Sequence, residues 1–430
     1  MNNYTQKEIE DQFTKDLEPP EPFKKYIVSC DSKITGVTLL MKCILLAKNY
    51  QYLLDSIDID KELENEPTGK CNAMALHVAT INSGLSSSEY AVSKLLEHKV
   101  DIDVEDLNGN SAIYYASVFS RKYSTENTVI MLIDAKANIN LQNDDGETPL
   151  YGASWKSNIY STENTVKILI DAKANLNLQN KYRQTPLFIA SCESGSESTE
   201  NTVNMLIDAK ANIDLENKFG QTPLFIASCK SGSESTENTV KILIDAKANI
   251  DLQDSSRQTP LYIASRTSRS ESTENTVKML IDAKANINLQ SYYGQTPLYI
   301  ASSQSGDKST ENTVKMLIDA KADLNLQNNS KDVPLIASST ENTIKLLINA
   351  KADISKKNEY DKTVIDTLYE INPKSELIFE LVNKNIGFKN NNIYKLLYLN
   401  NEKRFNEQQI FIRAYKEGLS DTACIVATYL

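Results

Sequence analysis

Histidine, glycine and cysteine are all scarce in this sequence. Its 430 residues include two His, 13 Gly and six Cys. Two histidines leave almost no candidates for a His-based catalytic triad, and neither has a Cys/His spacing that binds zinc. The chain also lacks the glycine-rich phosphate-binding patterns of nucleotide enzymes. We therefore predict a protein that is not an enzyme and that holds no cofactor and no metal.

Long apolar runs and an excess of positive charge are missing as well. The longest apolar stretch, Val37 to Ala47, has 11 residues and includes Lys42, whereas a membrane-spanning helix needs about 20. The 57 acidic and 46 basic residues give a net charge of −11, and nucleic-acid-binding surfaces are usually basic. No CxxC pair occurs, so we expect free thiols in a reducing compartment. We predict a cytoplasmic protein that binds neither nucleic acid nor membranes.

The sequence does contain one phrase many times. The stretch STENTVKMLIDAKA begins at Ser272 and again at Ser309. Near-copies begin at Ser124, Ser161, Ser198, Ser235 and Ser339. A Thr-Pro-Leu triplet recurs every 37 residues between Thr148 and Thr296, and related segments extend the series to ten units. Self-similarity at this period indicates an array of stacked units.

One unit, residues 217–253, shows how each copy is predicted to fold. A turn, NKFG, precedes Thr222 and Pro223, which begin an inner helix because proline is tolerated in a first turn. The loop KSGSES interrupts the helix. Ser235 is then predicted to cap an outer helix, with Val240, Leu243 and Ile244 on its buried stripe. The Ser/Glu-rich loop is predicted to be solvated, and a regulatory or phosphorylated edge is the alternative.

These segments resemble the ankyrin repeat. GQTPLFIA at Gly220 is similar to the signature G-x-T-P-L-H-x-A, and LIDAKANID at Leu243 is similar to the exit L-L-x-x-G-A-D-V-N. The resemblance recurs in register over about residues 33–386. It implies an all-α fold, an α-solenoid of stacked helix-turn-helix repeats with turn or hairpin fingers. The Asn-, Ile- and Lys-rich style is similar to ankyrin proteins of giant amoebal DNA viruses, which would place the protein in a host cytoplasm.

The predicted organisation has four parts. Residues 1–32 form an N-terminal helix and a Pro-rich lead, and residues 33–68 form a degenerate capping repeat. Residues 69–390 hold repeats with a period of 37 and one short unit near 328–357. In that unit the inner helix shrinks to a stub, and we predict a weak joint there. Residues 391–430 form a helical C-terminal cap that imitates a degenerate repeat.

The copies depart from the ankyrin pattern at two positions. The family histidine after Thr-Pro-Leu is kept only as His77, and an aromatic residue elsewhere implies that its hydrogen bond to the turn is mostly lost. The glycine that ends the outer helix is replaced by lysine in seven units. These are Lys136, Lys173, Lys210, Lys247, Lys284, Lys321 and Lys351. A lysine with positive φ costs about 1 kcal/mol relative to glycine.

The copies differ from one another in two zones, the turn tips and the end of the inner helix. These zones resemble the partner-contacting positions of the family, and Tyr, Trp and Arg dominate binding hot spots. The candidate partner-binding residues are Trp155, Tyr182, Arg183, Phe219, Arg257, Arg266, Tyr292 and Tyr293. The sequence does not name the protein partner.

Three functions fit these patterns. The first is a non-catalytic, monomeric protein–protein interaction scaffold that uses the finger tips and the inner-helix face. The second is an adaptor that recruits a host enzyme, such as a ubiquitin ligase, through residues 386–430. The third is a mechanical array without a fixed partner. A ligase subunit recovered only with residues 386–430 would favour the adaptor.

Overall fold

The computed structural model describes residues 75–84, 88–98 and 100–383, together with Ile44, Asp55 and Ile59. The described residues form helices joined by turns and contain no β-strand, so the all-α prediction is confirmed for them. None of their helices is long and apolar enough to cross a lipid bilayer. The N-terminal lead, most of the capping repeat, the C-terminal cap and the adaptor segment lie outside the described residues.

Nine pairs of helices follow one another in this part of the chain, and each pair consists of an inner and an outer helix. The inner helices are α1 (Ala75–Ile81), α3 (Ala112–Val118), α5 (Pro149–Lys156), α7 (Pro186–Cys192), α9 (Pro223–Lys230), α11 (Pro260–Thr267), α13 (Pro297–Ser303), α15 (Pro334–Ala337) and α17 (Val364–Ile371). The outer helices are α2 (Ser88–Glu97), α4 (Glu126–Asp134), α6 (Glu163–Asp171), α8 (Glu200–Asp208), α10 (Glu237–Asp245), α12 (Glu274–Asp282), α14 (Glu311–Asp319), α16 (Glu341–Asn349) and α18 (Glu376–Asn383).

The chain divides into two compact units, with the boundary between Asn249 and Ile250. In the first unit, each inner helix packs on the next one, in the order α1, α3, α5, α7 and α9. The outer helices pack in the same way, in the order α2, α4, α6, α8 and α10. In the second unit, α11, α13, α15 and α17 form the inner series, and α12, α14 and α16 form the outer series. Each helix pair therefore covers its apolar faces with its neighbours, as stacked repeats require.

The core of each repeat comes from a few apolar positions. The inner helix begins at Thr222 and Pro223 as predicted, with Thr222 as its N-cap, and Leu224 on this helix is fully buried. Val240 on the outer helix is fully buried too. Ile226 and Ile244, which the helical pattern also placed inside, are only half-buried. The period of the pattern thus identifies the buried stripe, and its edges remain partly accessible to water.

The cap of the outer helix lies one residue later than predicted. Thr236 is the N-cap, and its hydroxyl accepts a hydrogen bond from the backbone N–H of Thr239 at 3.0 Å. Ser235 instead donates to the carbonyl of Ser191 at 2.8 Å, and its Oγ lies 3.1 Å from Oγ of Ser194. The prediction of a Ser235 cap is therefore wrong, because this serine is used to bind the previous repeat.

The serines at the start and at the end of the inter-helix loops are buried rather than solvated. Oγ of Ser157 lies 3.2 Å from Oγ of Ser198, and the Thr202 hydroxyl donates to Ser157 at 2.8 Å. All three residues are buried. The same triad recurs with Ser120, Ser161 and Thr165, with Ser194, Ser235 and Thr239, and with Ser268, Ser309 and Thr313. Buried hydroxyls need partners, and here each loop finds them in the next repeat. The prediction of solvated serines is wrong at these positions.

The repeated phrase also carries a ladder of hydrogen bonds between copies. Glu163 accepts from the Thr199 hydroxyl and from the Asn201 side chain, both at 2.6 Å. Equivalent glutamates accept from the next copy at Glu89, Glu126 and Glu200 in the first unit and at Glu274 and Glu311 in the second. Hydrogen bonds to a carboxylate are stronger than those between neutral groups. The phrase therefore contains both the donors and the acceptor that join identical neighbours.

Tyrosine preserves the bond that the family histidine makes to the turn. Nε2 of His77 lies 3.0 Å from the carbonyl oxygen of Asn110, 33 residues later. The hydroxyl of Tyr151 donates to Oε1 of Gln184, also 33 residues later, at 3.0 Å. Tyr114 and Tyr262 bond to Glu147 and Gln295 in the same way. The prediction that this bond is mostly lost is therefore wrong for these tyrosines.

The lysines at the ends of the outer helices have positive φ, as predicted. Their φ angles lie between 66° and 71°. At Lys210 the backbone N–H donates to the carbonyl of Ile207 at 2.9 Å, and that of Ala211 donates to Leu206 at 3.0 Å. This pair of bonds is the Schellman motif, which usually has glycine at the left-handed residue. Lysine is therefore strained at each of these ends.

Replacing Lys210 by glycine is expected to raise the free energy of unfolding by up to about 1 kcal/mol, because glycine adopts positive φ without a Cβ clash. Midpoints of chemical denaturation would measure the change. Lys241→Gly is the matched control, since this exposed residue lies inside α10 and glycine there should destabilise by about 1 kcal/mol. A lower midpoint for Lys210→Gly would contradict the strain argument.

Candidate functional site

The turns before the inner helices form a continuous surface in each unit. In the first unit, the backbone N–H of Lys181 donates to the carbonyl of Asp145 at 2.8 Å, and that of Lys218 donates to Tyr182 at 2.9 Å. We call residues 106–109, 143–146, 180–183 and 217–220 the first tip ledge. Its backbone is fixed from one turn to the next, so its side chains project from a rigid support.

The second unit has an equivalent surface. The backbone N–H of Tyr292 donates to Ser256 at 2.8 Å, and that of Asn329 donates to Tyr293 at 3.0 Å. We call residues 254–257, 291–294, 328–331 and 358–361 the second tip ledge. Tyr292 and Tyr293 are 66% and 61% exposed. Their rings meet edge to face, with centroids 5.5 Å apart.

Two aromatic residues and one lysine are brought together on the first tip ledge. Tyr182 is 51% exposed and Phe219 is 53% exposed. The ammonium of Lys218 lies 4.0 Å from the centroid of the Tyr182 ring and 5.0 Å from that of Phe219. Attraction between a cation and aromatic faces favours this arrangement. The turns of two repeats therefore present one joint aromatic and cationic surface.

Two candidate arginines lie at strained positions of the tips. Arg183 has φ of 58° and Arg257 has φ of 57°, a region that favours glycine. Both side chains are exposed. Their carbonyls accept hydrogen bonds from Gln179 and Gln253, both at 2.7 Å. Arginine is thus held at the tip in a backbone conformation that disfavours it.

The inner-helix candidates are less accessible than the tips. Trp155 is half-buried, and its ring meets that of Tyr151 at a centroid distance of 6.5 Å. The Lys156 ammonium lies 3.7 Å from the centroid of the Trp155 ring. Arg266 is half-buried too. Burial raises the pKa of Asp254, and the charge of Arg266 opposes that rise.

Two exposed tip residues were missed by the sequence reasoning. Leu107 on the first tip ledge is 52% exposed, and Tyr360 on the second is 65% exposed. Both occupy the tip positions of their turns, in the segments DLNG and NEYD. A step of 37 residues back from Asp144 reaches Leu107, and a step of 30 residues forward from Ser330, across the short unit, reaches Tyr360.

One cluster of possible metal ligands occurs in the described part of the chain. The ligand atoms of Cys192, Glu193 and Glu234 lie within 4.8 Å of one another. Burial raises the pKa of the Cys192 thiol, and the negative charge of Glu193 raises it further. The thiol therefore stays protonated. Lys230 forms an ion pair with Glu234. The cluster is thus a neutral thiol that donates to Glu193, beside an ion pair. Cys192 and Cys229 form no disulfide bond.

Comparison with known proteins identifies one family. The family model described as ankyrin repeats (3 copies) matches four overlapping segments, residues 119–214, 195–291, 237–328 and 267–358, which together span more than half of the chain. Among solved structures, the ankyrin repeat domain of Bcl-3, a member of the IkappaB protein family, is similar with a TM-score of 0.47 and 23% identity. That match covers 56% of this chain and 99% of the other. No curated protein matches this sequence.

Proposed function

Because this chain belongs to the ankyrin repeat family, whose repeats generally serve as protein–protein interaction modules, we propose that it is a non-catalytic scaffold that binds a protein partner through its tip ledges. The inner-helix residues Trp155, in the first unit, and Arg266, in the second, are further contacts in this proposal. We infer that the scaffold acts as a monomer in the cytoplasm. The partner is a protein rather than a nucleic acid, since the chain carries a net charge of −11.

The distribution of exposed aromatic rings carries this proposal. Five aromatic side chains are exposed in the described part of the chain, and all five lie on the two tip ledges. They are Tyr182, Phe219, Tyr292, Tyr293 and Tyr360. Aromatic residues dominate binding hot spots, and a support that is already rigid loses less entropy on binding.

The constant parts of the repeats support the same conclusion. The outer helices and the loop serines join neighbouring copies through core packing and buried hydrogen bonds. The exposed aromatic side chains of the tips, Tyr182, Phe219, Tyr292 and Tyr293, take no part in those bonds. Because the turns are held by backbone hydrogen bonds, their side chains are able to vary without unfolding the array. Tip variation is therefore compatible with the stability of each unit.

Replacing Tyr182, Phe219, Tyr292 and Tyr293 together by alanine is expected to weaken partner binding at least tenfold. Affinity capture with quantitative mass spectrometry would identify proteins that the wild type retains and this variant loses, and titration of the purified partner would give the affinity. Stability should change little, because surface substitutions usually stay within about 0.5 kcal/mol.

A matched control is available outside the tips. Ile130 on α4 and Ile371 on α17 are exposed apolar residues, and their joint replacement by alanine should leave partner binding intact. A large drop in the melting temperature of the tip variant would mean that its rings are packed, and the proposed contact surface would then be wrong. Equal binding by wild type and tip variant would also refute it.

A further inference from the structure

A separate aromatic surface lies in the first unit, where the inner helices α3 and α5 lead into their outer helices. The tips precede these inner helices, whereas this surface follows them. We call it the loop-edge patch, and it consists of Phe119, Arg121, Lys122, Tyr123, Ile159 and Tyr160. The patch shares no residue with the tip ledges, so a test of the patch is independent of a test of the proposed function.

The rings of the loop-edge patch form one cluster. The Phe119 centroid lies 5.7 Å from that of Tyr123 and 5.9 Å from that of Tyr160. Tyr123 and Tyr160 stack with an interplanar angle of 18° and a centroid distance of 6.4 Å. All three rings are half-buried, and Ile159 beside them is exposed. The cluster therefore offers an apolar surface to a ligand.

Hydrogen bonds hold the two loops of the patch together. The backbone N–H of Arg121 donates to the carbonyl of Tyr160 at 3.0 Å, and its guanidinium donates to the carbonyl of Asn158 at 2.5 Å. The loops belong to consecutive repeats. A surface fixed in this way loses little conformational entropy when a partner binds.

The patch is positively charged in an acidic protein. Arg121 and Lys122 are exposed, and neither forms a salt bridge within the described residues. The Lys122 ammonium lies 5.0 Å from the Tyr123 centroid and 5.1 Å from the Tyr160 centroid. No Asp or Glu occurs in residues 119–125 or 155–162. Glu197 of the next loop is paired with Lys156, so the cations of the patch stand beside the rings without an ion-pair partner among the described residues.

The next two copies of the same loop have the opposite character. Glu197 and Glu234 occupy the positions of Tyr123 and Tyr160, Gly195 and Gly232 occupy that of Arg121, and Ser196 and Ser233 occupy that of Lys122. The later loops bind their neighbours through the buried serines described above, as the earlier loops also do. Stacking of the repeats therefore does not require the aromatic and cationic residues of the patch.

We propose that the loop-edge patch binds an acidic peptide segment that also carries aromatic or aliphatic side chains. Carboxylates of the peptide would pair with Arg121 and Lys122, and its apolar side chains would cover Ile159 and the exposed faces of the rings. A nucleic acid fits less well, because such binding neutralises several phosphates in a row and the patch offers only two cations on a chain of net charge −11.

Fluorescence anisotropy with the full-length chain tests this assignment. Three labelled 12-residue peptides are compared, one of Asp/Glu with Phe/Leu, one of Asp/Glu with Ser and one of Lys with Phe/Leu, together with a labelled oligouridine. The first peptide is expected to bind at least tenfold more tightly than any other probe. Its affinity should fall as NaCl is raised, because salt screens exposed charges.

Charge reversal then locates the binding site. Arg121→Glu combined with Lys122→Glu is expected to weaken binding of the first peptide at least tenfold, and Ile159→Asp is a second variant on the apolar side. Ser233→Glu, at the exposed position equivalent to Lys122 in a later loop, is the matched control and should bind like the wild type. The tip variant Tyr182→Ala with Phe219→Ala should bind normally too.

Several results would overturn the proposal. The proposal fails if the first peptide shows no saturable binding, if the lysine peptide binds as tightly as the first, or if oligouridine binds more tightly. It also fails if Ser233→Glu loses as much affinity for the first peptide as the patch variants do. Unchanged binding in both patch variants would also overturn it. A thermal melt shows whether each variant is folded. If one of the two patch variants unfolds, the comparison uses the other patch variant.

Discussion

Replacing Gly152 by isoleucine is expected to lower the free energy of unfolding by about 1–3 kcal/mol, the range of overpacked cores. This outcome runs against the repeat consensus, because isoleucine occupies the equivalent position in four later repeats. Those residues are Ile189, Ile226, Ile263 and Ile300. A Cβ on Gly152 would lie 2.5 Å from Cγ2 of Val118 and 3.3 Å from the ring of Tyr114. The previous repeat has already filled this space.

Chemical denaturation of three variants would measure the effect. Gly152→Ala should be less harmful than Gly152→Ile, since the helix gains about 1 kcal/mol of propensity on replacing glycine by alanine while only one methyl meets Val118. Adding Val118→Ala to Gly152→Ile should recover a large part of the lost stability, because neighbouring substitutions are coupled. A higher midpoint for Gly152→Ile alone would show that Val118 moves aside without strain.

Amide hydrogen exchange is expected to be at least tenfold faster in residues 334–340 than in the inner helix α13 of the same unit. The helix α15 has one turn, and the N–H groups of Ile336 and Ala337 both bond to the carbonyl of Val333. Val333 offers no side-chain cap, whereas Thr296 caps α13 by accepting from Tyr299 N–H at 3.1 Å. Stability in a repeat array is a sum of unit and interface terms, so this repeat should open first.

The short repeat is better packed than its length suggests. Leu335 and Ile336 are buried, and the Thr367 hydroxyl donates to the carbonyl of Ile336 at 2.8 Å. The predicted stub is therefore present, and its two apolar side chains are packed as in a full-length inner helix. The weak joint remains a prediction that rests on the single turn and the missing cap.

Peptide-resolved exchange of the wild type and of Val333→Thr would decide the matter. The threonine hydroxyl should accept from Ile336 N–H and slow exchange in residues 334–340, while peptides from α13 should be unaffected. Protection of Ile336 to Thr340 equal to that of Tyr299 to Ser302, or to that of Ile226 to Cys229 in the first unit, would refute the weak joint.

The sequence predicted the candidate site in part. Tyr182, Phe219, Tyr292 and Tyr293 were identified from the variation of the turn tips, and all four are more than half exposed. Trp155 came from the same reasoning, yet it is half-buried against Tyr151 and Lys156. The difference arises because variation between copies shows where packing is not repeated, whereas exposure depends on the neighbouring repeat.

The sequence by itself determined the repeat, its helices and the conformation of their ends. Helical periodicity, the Thr-Pro start and a residue such as Lys210 after the last turn all act within a few residues, so their effects can be read from one copy. The shortened inner helix at Pro334 follows from counting residues in the same way. These features are local because backbone hydrogen bonds in a helix join residues four positions apart.

The tertiary structure alone decided which polar groups are paired and which space is filled. Ser235 bonds to Ser191, 44 residues earlier, and Tyr151 bonds to Gln184, 33 residues later. The partner in each case belongs to an adjacent copy. The space beside Gly152 is likewise taken by the preceding repeat. A local pattern defines one repeat, but burial and hydrogen bonding at the face between two repeats depend on the side chains that both of them place there.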